Sequence, residues 1–327
     1  MRPRATRRRG RHLLVGTAAV LLVAALAGVG VAVLAKSSTP VPATPTRPPV
    51  PTLVAAGDVA CDPTDPHFND GDGTATTCHM RKTSDLLASA GPSAVLTLGD
   101  VQYGHGGTAD YQVSYGPTWG RVKAVTHPAL GDGDYDNQGA AAYFRYFGAA
   151  AGRPDQGWYS FDLGAWHVVV LNSNCSHVGG CQRGSPQERW LKADLAAHPA
   201  TCILAAWHHP LFGSNAVRVN RTTLAFWQDL YAAGAELVLN GNNHFYERFA
   251  PQSPSGRPDP GHGVREFIVG TGGRSHQRLA LPLANSQVRN DATFGVLKLT
   301  LRPDGYDWAF VPEAGAAFTD AGSDTCH

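Results

Sequence analysis

Five apolar runs in this chain lead into a carboxylate or an imidazole: LVAAGD (53–58), AVLTLGD (94–100), the run before LGDGDY (130–135), CILAAWHH (202–209) and AELVLNGNNH (235–244). Runs of this length, bounded by glycine, read as buried strands. In open α/β sheets ligands bind beyond the carboxyl ends of such strands. One Asp at a strand end is an ordinary turn residue or helix cap. Asp58, Asp100, the pair Asp132 and Asp134, His208 with His209, and His244 in one chain imply a site assembled from distant loops. Oxygen and nitrogen donors without thiolate suit a hydrolytic centre for zinc, iron or manganese. A carboxylate bridging two ions about 3.5–4 Å apart is a device for binding phosphate oxygens and activating water.

Between the runs the chain alternates. RKTSDLLASAG (81–91) reads as a helix stopped by Gly91, so residues 53–100 form a βαβ unit. Ser185, Pro186 and Glu188 supply an N-cap, a first-position proline and a capping-box acid for the helix that precedes the fourth run. LAFWQDLYAAG (224–234) is a further helix with a glycine stop. After residue 263 the pattern turns to β: VREFIVGTGG, then FGVLKLTL, a Pro303-Asp304-Gly305 turn and YDWAFV. The expected fold class is α/β, with two mixed β-sheets face to face and helices outside.

The chain has 327 residues, 43% of them hydrophobic, and 27 basic against 26 acidic groups. That is ample apolar mass for a core and excludes a disordered chain. Six arginines and no acids occupy the first twelve residues; without them 21 basic groups face 26 acidic ones. A mildly acidic body has no electrostatic footprint for nucleic acid. The arginines instead precede an uncharged run over 13–35, about 23 residues, enough to cross roughly 30 Å of hydrocarbon. It is the only such run, which excludes a polytopic membrane protein. The positive-inside rule sends everything after Lys36 out of the cytoplasm. Residues 1–36 are therefore expected to be a basic N-region with either a cleaved signal peptide or a single membrane anchor. Residues 37–51 form a proline-rich tether, and 52–327 a single catalytic domain. The protein is expected to be extracytoplasmic, anchored or secreted, with no obligate protein partner called for.

All six cysteines follow the tether, an even number that fits disulfides in an exported chain. Six cysteines allow fifteen connectivities. Proximity favours Cys61–Cys78 and Cys175–Cys181, leaving Cys202–Cys326 to pin the C-terminus.

The ordered segments GDVA (57–60), GDVQY (99–103), LGDGDY (130–135), WHHP (207–210) and GNNHFYER (241–248) resemble the five blocks of calcineurin-like metallophosphoesterases, and REFIVGTGG (265–273) continues the likeness. The resemblance is nearest to the purple-acid-phosphatase branch and its compact exported bacterial members. It implies a phosphomonoesterase acting on a small phosphorylated substrate through two metal ions, iron with zinc, manganese or a second iron. By position, Asp58, Tyr103 and His244 would hold the first metal, Asp100 would bridge, and Asp132, His208 and Asn242 would hold the second. Three positions depart from the family pattern. Asp132 stands where the family has a neutral asparagine, Gly133 where it has a phosphate-contacting histidine, and Asn242 where it has an imidazole. His209, His105 and His127 are the imidazoles at hand to stand in. His209 and His105 join Asp100 as candidate catalytic residues. Losing a positioned proton donor typically removes about 10²–10⁴ in rate. The alternative expectation is a non-catalytic metal- or phosphate-binding surface module.

Overall fold

The computed structural model describes residues 50–327 apart from 105, 106, 137, 201, 217 and 218. The basic N-region, the apolar run, all but the last two residues of the tether, and His105 lie outside the described residues. Among the described residues, no helix is long and apolar enough to cross a membrane.

Thirteen strands are described: β1 (Thr52–Ala56), β2 (Ala94–Leu98), β3 (Thr126–Ala129), β4 (Tyr159–Leu163), β5 (Trp166–Val170), β6 (Cys202–Trp207), β7 (Leu237–Asn240), β8 (Tyr246–Phe249), β9 (Arg265–Val269), β10 (Ser286–Asn290), β11 (Gly295–Arg302), β12 (Gly305–Pro312) and β13 (Asp320–Thr325). They form two mixed sheets, ordered β13-β12-β11-β1-β2-β3 and β10-β8-β9-β7-β6-β5-β4. Within the first, β1, β2 and β3 run parallel. Within the second, β5, β6, β7 and β9 do so. The expected class is the one observed, two mixed sheets with flanking helices.

Every residue of β2, β5, β6 and β7 is buried, which is why these strands read as continuous apolar runs instead of alternating ones. The period of two survives in what each side chain meets. Trp166, Val168, Val170, Leu204, Ala206, Leu237 and Leu239 pack in one core with Leu96, Leu98, Leu297 and Leu299 of the first sheet. Their alternates Val169, Ile203, Ala205, Trp207 and Val238 pack with Leu191 of helix Pro186–Ala197 and with Phe226, Trp227 and Leu230 of helix Leu224–Ala232. Each fully buried aliphatic or aromatic side chain contributes about 1.5–3 kcal/mol. Together they fix the rims from which the polar residues project.

Helix Met80–Ala90 ends on Gly91 in the left-handed conformation, as its glycine stop implies. Ser185 caps helix Pro186–Ala197 by accepting the Glu188 N–H at 3.2 Å. The Glu188 carboxylate, however, accepts from the Gly184 N–H at 2.8 Å, one residue before the donor a capping box would use. Strands β4, β5, β8, β10 and β13 have no counterpart in the sequence reading. The polar edge strand β13 is held by its ladder to β12 and by Arg248 and Arg265, which pair with Asp320 and Asp324.

The three disulfides are Cys61–Cys78, Cys175–Cys181 and Cys202–Cys326. They are compatible with an extracytoplasmic protein.

Candidate metal centre

The loop after β1 carries Asp58, that after β2 carries Asp100 and Tyr103, and that after β3 carries Asp132. The loop after β6 carries His208 and His209, and that after β7 carries Asn242 and His244. Backbone bonds stitch these loops together. The Gly57 N–H donates to the Val269 carbonyl at 2.9 Å, Asp58 N–H to Gly99 at 3.1 Å, and Gly241 N–H to His208 at 3.1 Å. Asp58, Asp100 and Asn242 turn the chain with φ of 59°, 48° and 64°. Asp and Asn enter this left-handed region more readily than other non-glycine residues, at a cost of about 1–3 kcal/mol each. Gly99 is required in front of Asp100. Its φ is +85°, and a Cβ there would stand 2.4 Å from the His208 ring.

One half of the site is buried. Tyr103 donates its hydroxyl hydrogen to Asp58 Oδ1 at 2.8 Å, and the same hydroxyl lies 3.0 Å from His244 Nε2. His244 Nε2 is 3.1 Å from Asp58 Oδ1, and its Nδ1 is tied to Ser275 Oγ at 3.0 Å. Burial, with Asp58 and Asp100 nearby, pushes the Tyr103 phenol well above its ordinary value. Burial works against a charged His244, but Asp58 outweighs it and raises that imidazole.

The other half is more open. His208 Nε2 lies 3.3 Å from Asp100 Oδ1 and 3.2 Å from Asp132 Oδ1. His209 Nε2 is also 3.2 Å from Asp132 Oδ1. The Asp132 side chain is 64% exposed, and its contacts with His208 and His209 hold its carboxyl well below the usual range. The Gly133 N–H donates to Asp100 Oδ1 at 2.8 Å. Asn242 donates an amide hydrogen to Asn243 Oδ1 at 3.1 Å.

Asp134 was legible only as the neighbour of Asp132. It is buried and accepts the Gly131 N–H at 2.9 Å and the Val101 N–H at 3.1 Å, clamping the loops after β2 and β3 together. Burial, then the charge of Asp100, pushes its carboxyl up to about 8. His127 does not reach the centre. It sits within β3 opposite Leu96, its ring stacked 3.6 Å from that of Phe161. That removes it from the imidazoles able to stand in.

The donor set fits hard or borderline cations. Asp58, Asp100 and His208, all buried, offer ligand atoms within 4.8 Å of one another, as do Asp132, His208 and His209. Asp58 Oδ2 and His208 Nε2 are buried yet make no hydrogen bond. Buried polar atoms without partners are costly. Cations held by these clusters would satisfy both.

The two mixed sheets with flanking helices are the metallophosphoesterase α/β sandwich, and parts of the sequence are similar to purple acid phosphatases. No family model matches the chain. The chain is 31% identical over 97 residues to purple acid phosphatase 15 of Arabidopsis thaliana, covering 28% of this chain and 18% of the relative. It is 29% identical over 147 residues to purple acid phosphatase 18 of the same plant, covering 42% and 32%. The chain thus spans about a third or less of the length of these curated relatives. Among solved structures it superimposes on purple acid phosphatase PPD1 from yellow lupin with a TM-score of 0.69 at 16% identity, covering 84% of this chain and 53% of that one. It superimposes on GAP50, the anchor in the inner membrane complex of Plasmodium, with a TM-score of 0.59 at 14% identity, covering 82% and 87%.

Proposed function

We propose that the chain is an exported phosphomonoesterase of small substrates with a binuclear metal centre. The observation that supports this reading is a pair of ligand clusters that share His208, Asp58 and Asp100 on one side and Asp132 and His209 on the other, with Asp58 Oδ2 and His208 Nε2 buried and without a hydrogen bond. Asp58, Tyr103 and His244 would hold the first cation, Asp100 would bridge, and Asp132 and His208 would hold the second. Iron paired with zinc, manganese or a second iron suits this oxygen and nitrogen set. Bound there, the cations would supply Lewis-acid polarisation of the phosphoryl group and would lower the pKa of water enough to furnish a hydroxide nucleophile at neutral pH. The chain's own part is to hold them. The Asp134 clamp fixes the Asp100 and Asp132 loops, and the Gly133 N–H orients the Asp100 carboxylate. Export rests on the arginine-led apolar run and on the three disulfides.

Gly133 supplies no proton to a leaving group. Hydrolysis should therefore favour esters whose leaving group needs none, aryl phosphates above alkyl phosphates. Purified protein loaded with iron, zinc or manganese is expected to hydrolyse an aryl phosphate. Asp100→Asn should lower kcat/KM by about 10³ or more, since both cations lose a ligand. Equal rates for the two proteins would refute the reading.

A second reading, a metal- or phosphate-binding surface module without turnover, is favoured by the changes at 132, 133 and 242 alone. A tightly held single ion with no hydrolysis of any phosphate ester would select it.

A further inference from the structure

The centre has an imidazole that the family's block pattern does not call for. We infer that His209 is a ligand of the second cation, in place of Asn242, so that Asp100, Asp132, His208 and His209 form its protein shell. This rests on the binuclear reading and deepens it.

Both imidazoles are held through Nδ1. His208 Nδ1 lies 2.8 Å from the Leu98 carbonyl, which can only accept, so Nδ1 carries the hydrogen and Nε2 a lone pair. His209 Nδ1 lies 2.8 Å from Ser173 Oγ, and the same hydroxyl oxygen accepts the His209 backbone N–H at 3.0 Å. Holding one ring nitrogen so that the other faces the ion is how outer-shell partners orient metal-bound histidine. The two Nε2 atoms then flank one oxygen, Asp132 Oδ1, each at 3.2 Å. Ligands about 2.0–2.2 Å from a common ion stand roughly 2.8–3.6 Å apart in octahedral or tetrahedral arrangements. The observed spacing falls in that window.

Ring orientation agrees. His208 and His209 meet nearly edge to face, at 80° with centroids 5.0 Å apart, so their in-plane lone pairs can aim at one point. His167 and His198, in another His and Asp cluster, are stacked at 12°, and parallel displaced rings cannot share an ion in both planes. Asn242, meanwhile, donates an amide hydrogen to Asn243 Oδ1 and can offer an ion only its own carbonyl oxygen, a weaker donor than an imidazole. Asn243 Oδ1 also accepts from Asn215 at 2.5 Å. The imidazole missing at position 242 is thus supplied from the loop after β6.

The test is metal content after equilibrium dialysis against Mn²⁺, run on full-length wild type, His209→Gln, Asn242→Ala and Ser173→Ala. Wild type and Asn242→Ala are expected to hold two ions per chain. His209→Gln should keep the first ion, which also reports an intact fold, and bind the second at least tenfold more weakly. Ser173→Ala should weaken the second ion by about 10–100-fold through loss of ring orientation. Undiminished second-ion affinity in His209→Gln, or its loss in Asn242→Ala, would overturn the assignment while leaving the binuclear centre standing. A single ion in wild type would instead overturn the binuclear reading, and this assignment with it.

Discussion

The two halves of the centre share a carboxylate and differ in nearly everything else. Asp58, Tyr103 and His244 are packed against one another with side chains no more than half exposed, and each occupies the place that the family pattern gives it. In the other half His208 is buried, but Asp132, His209 and Asn242 reach solvent, with a carboxylate for an amide, an amide for an imidazole and an extra imidazole alongside. A buried ligand cluster is over-determined, because removing one member strands the others without water or partner. An exposed cluster can exchange members, since solvent covers whatever is left unpaired. On the proposed reading, the contrast teaches that such a site can vary at its solvent edge while its buried ligands stay fixed.

The largest effect that would break this contrast comes from single substitutions in each half. Asp58→Asn is expected to lower kcat/KM for an aryl phosphate by about 10³, several kcal/mol of lost transition-state stabilisation. Asp132→Asn should cost tenfold or less, because the family's own ligand there is an amide. Equal losses in steady-state assays would erase the distinction between the halves.

The triple change Asp132→Asn, Gly133→His and Asn242→His sharpens it. Restoring a proton donor should raise alkyl-phosphate turnover by about 10²–10⁴, with a smaller gain for aryl esters. A Cβ at 133 would sit 3.2 Å from the Asp100 carboxylate, so a few tenths of an ångström of adjustment are needed. A gain equal for alkyl and aryl esters would assign the deficit to the metal and not to the missing proton.

Next in size is the scaffold. Cys202 begins β6, the strand that delivers His208, and its bridge to Cys326 closes a sequence separation of 124 residues. Removing it with Cys202→Ser and Cys326→Ser should cost about 2–5 kcal/mol. Denaturant unfolding would show this loss. Metal content at low temperature should stay unchanged.

Outside the centre the smallest effect is a pH dependence. Burial, then Glu188, pushes the Asp229 carboxyl up to about 6, and burial pushes Glu236 up to about 7. A carboxyl raised in the native state binds its proton more tightly there than in the unfolded chain, so stability falls as pH rises from about 4 through those values. The melting temperature of metal-free protein should be higher at pH 5 than at pH 8. Asp229→Asn should narrow that difference by a degree or two.

The ligand blocks of both halves are legible in the sequence, Asp132 and His208 included. Asp58, Asp100, Tyr103 and His244 stand in short glycine-bounded blocks after apolar runs, so their convergence follows from parallel strands ending on one rim. Partners chosen by three-dimensional proximity left weaker traces. Asp134 looked like any turn acid beside Asp132, although its spacing to Gly131 allows the clamp. Ser173 lies after β5, a strand missed because its hairpin partner β4 is mixed in polarity and half exposed. His127 was drawn in only as a histidine near the third block; inside β3 its ring faces Phe161. The edge strand β13, DAGSDT, has almost no strand propensity of its own. It exists because β12 and two arginines hold it.

Anomalous diffraction from crystals soaked in Mn²⁺ addresses the central claim most directly. The account predicts two peaks about 3.5–4 Å apart, one against Asp58, Tyr103 and His244, the other against Asp132, His208 and His209, with Asp100 between them. A lone peak, or two that do not share Asp100, would contradict it.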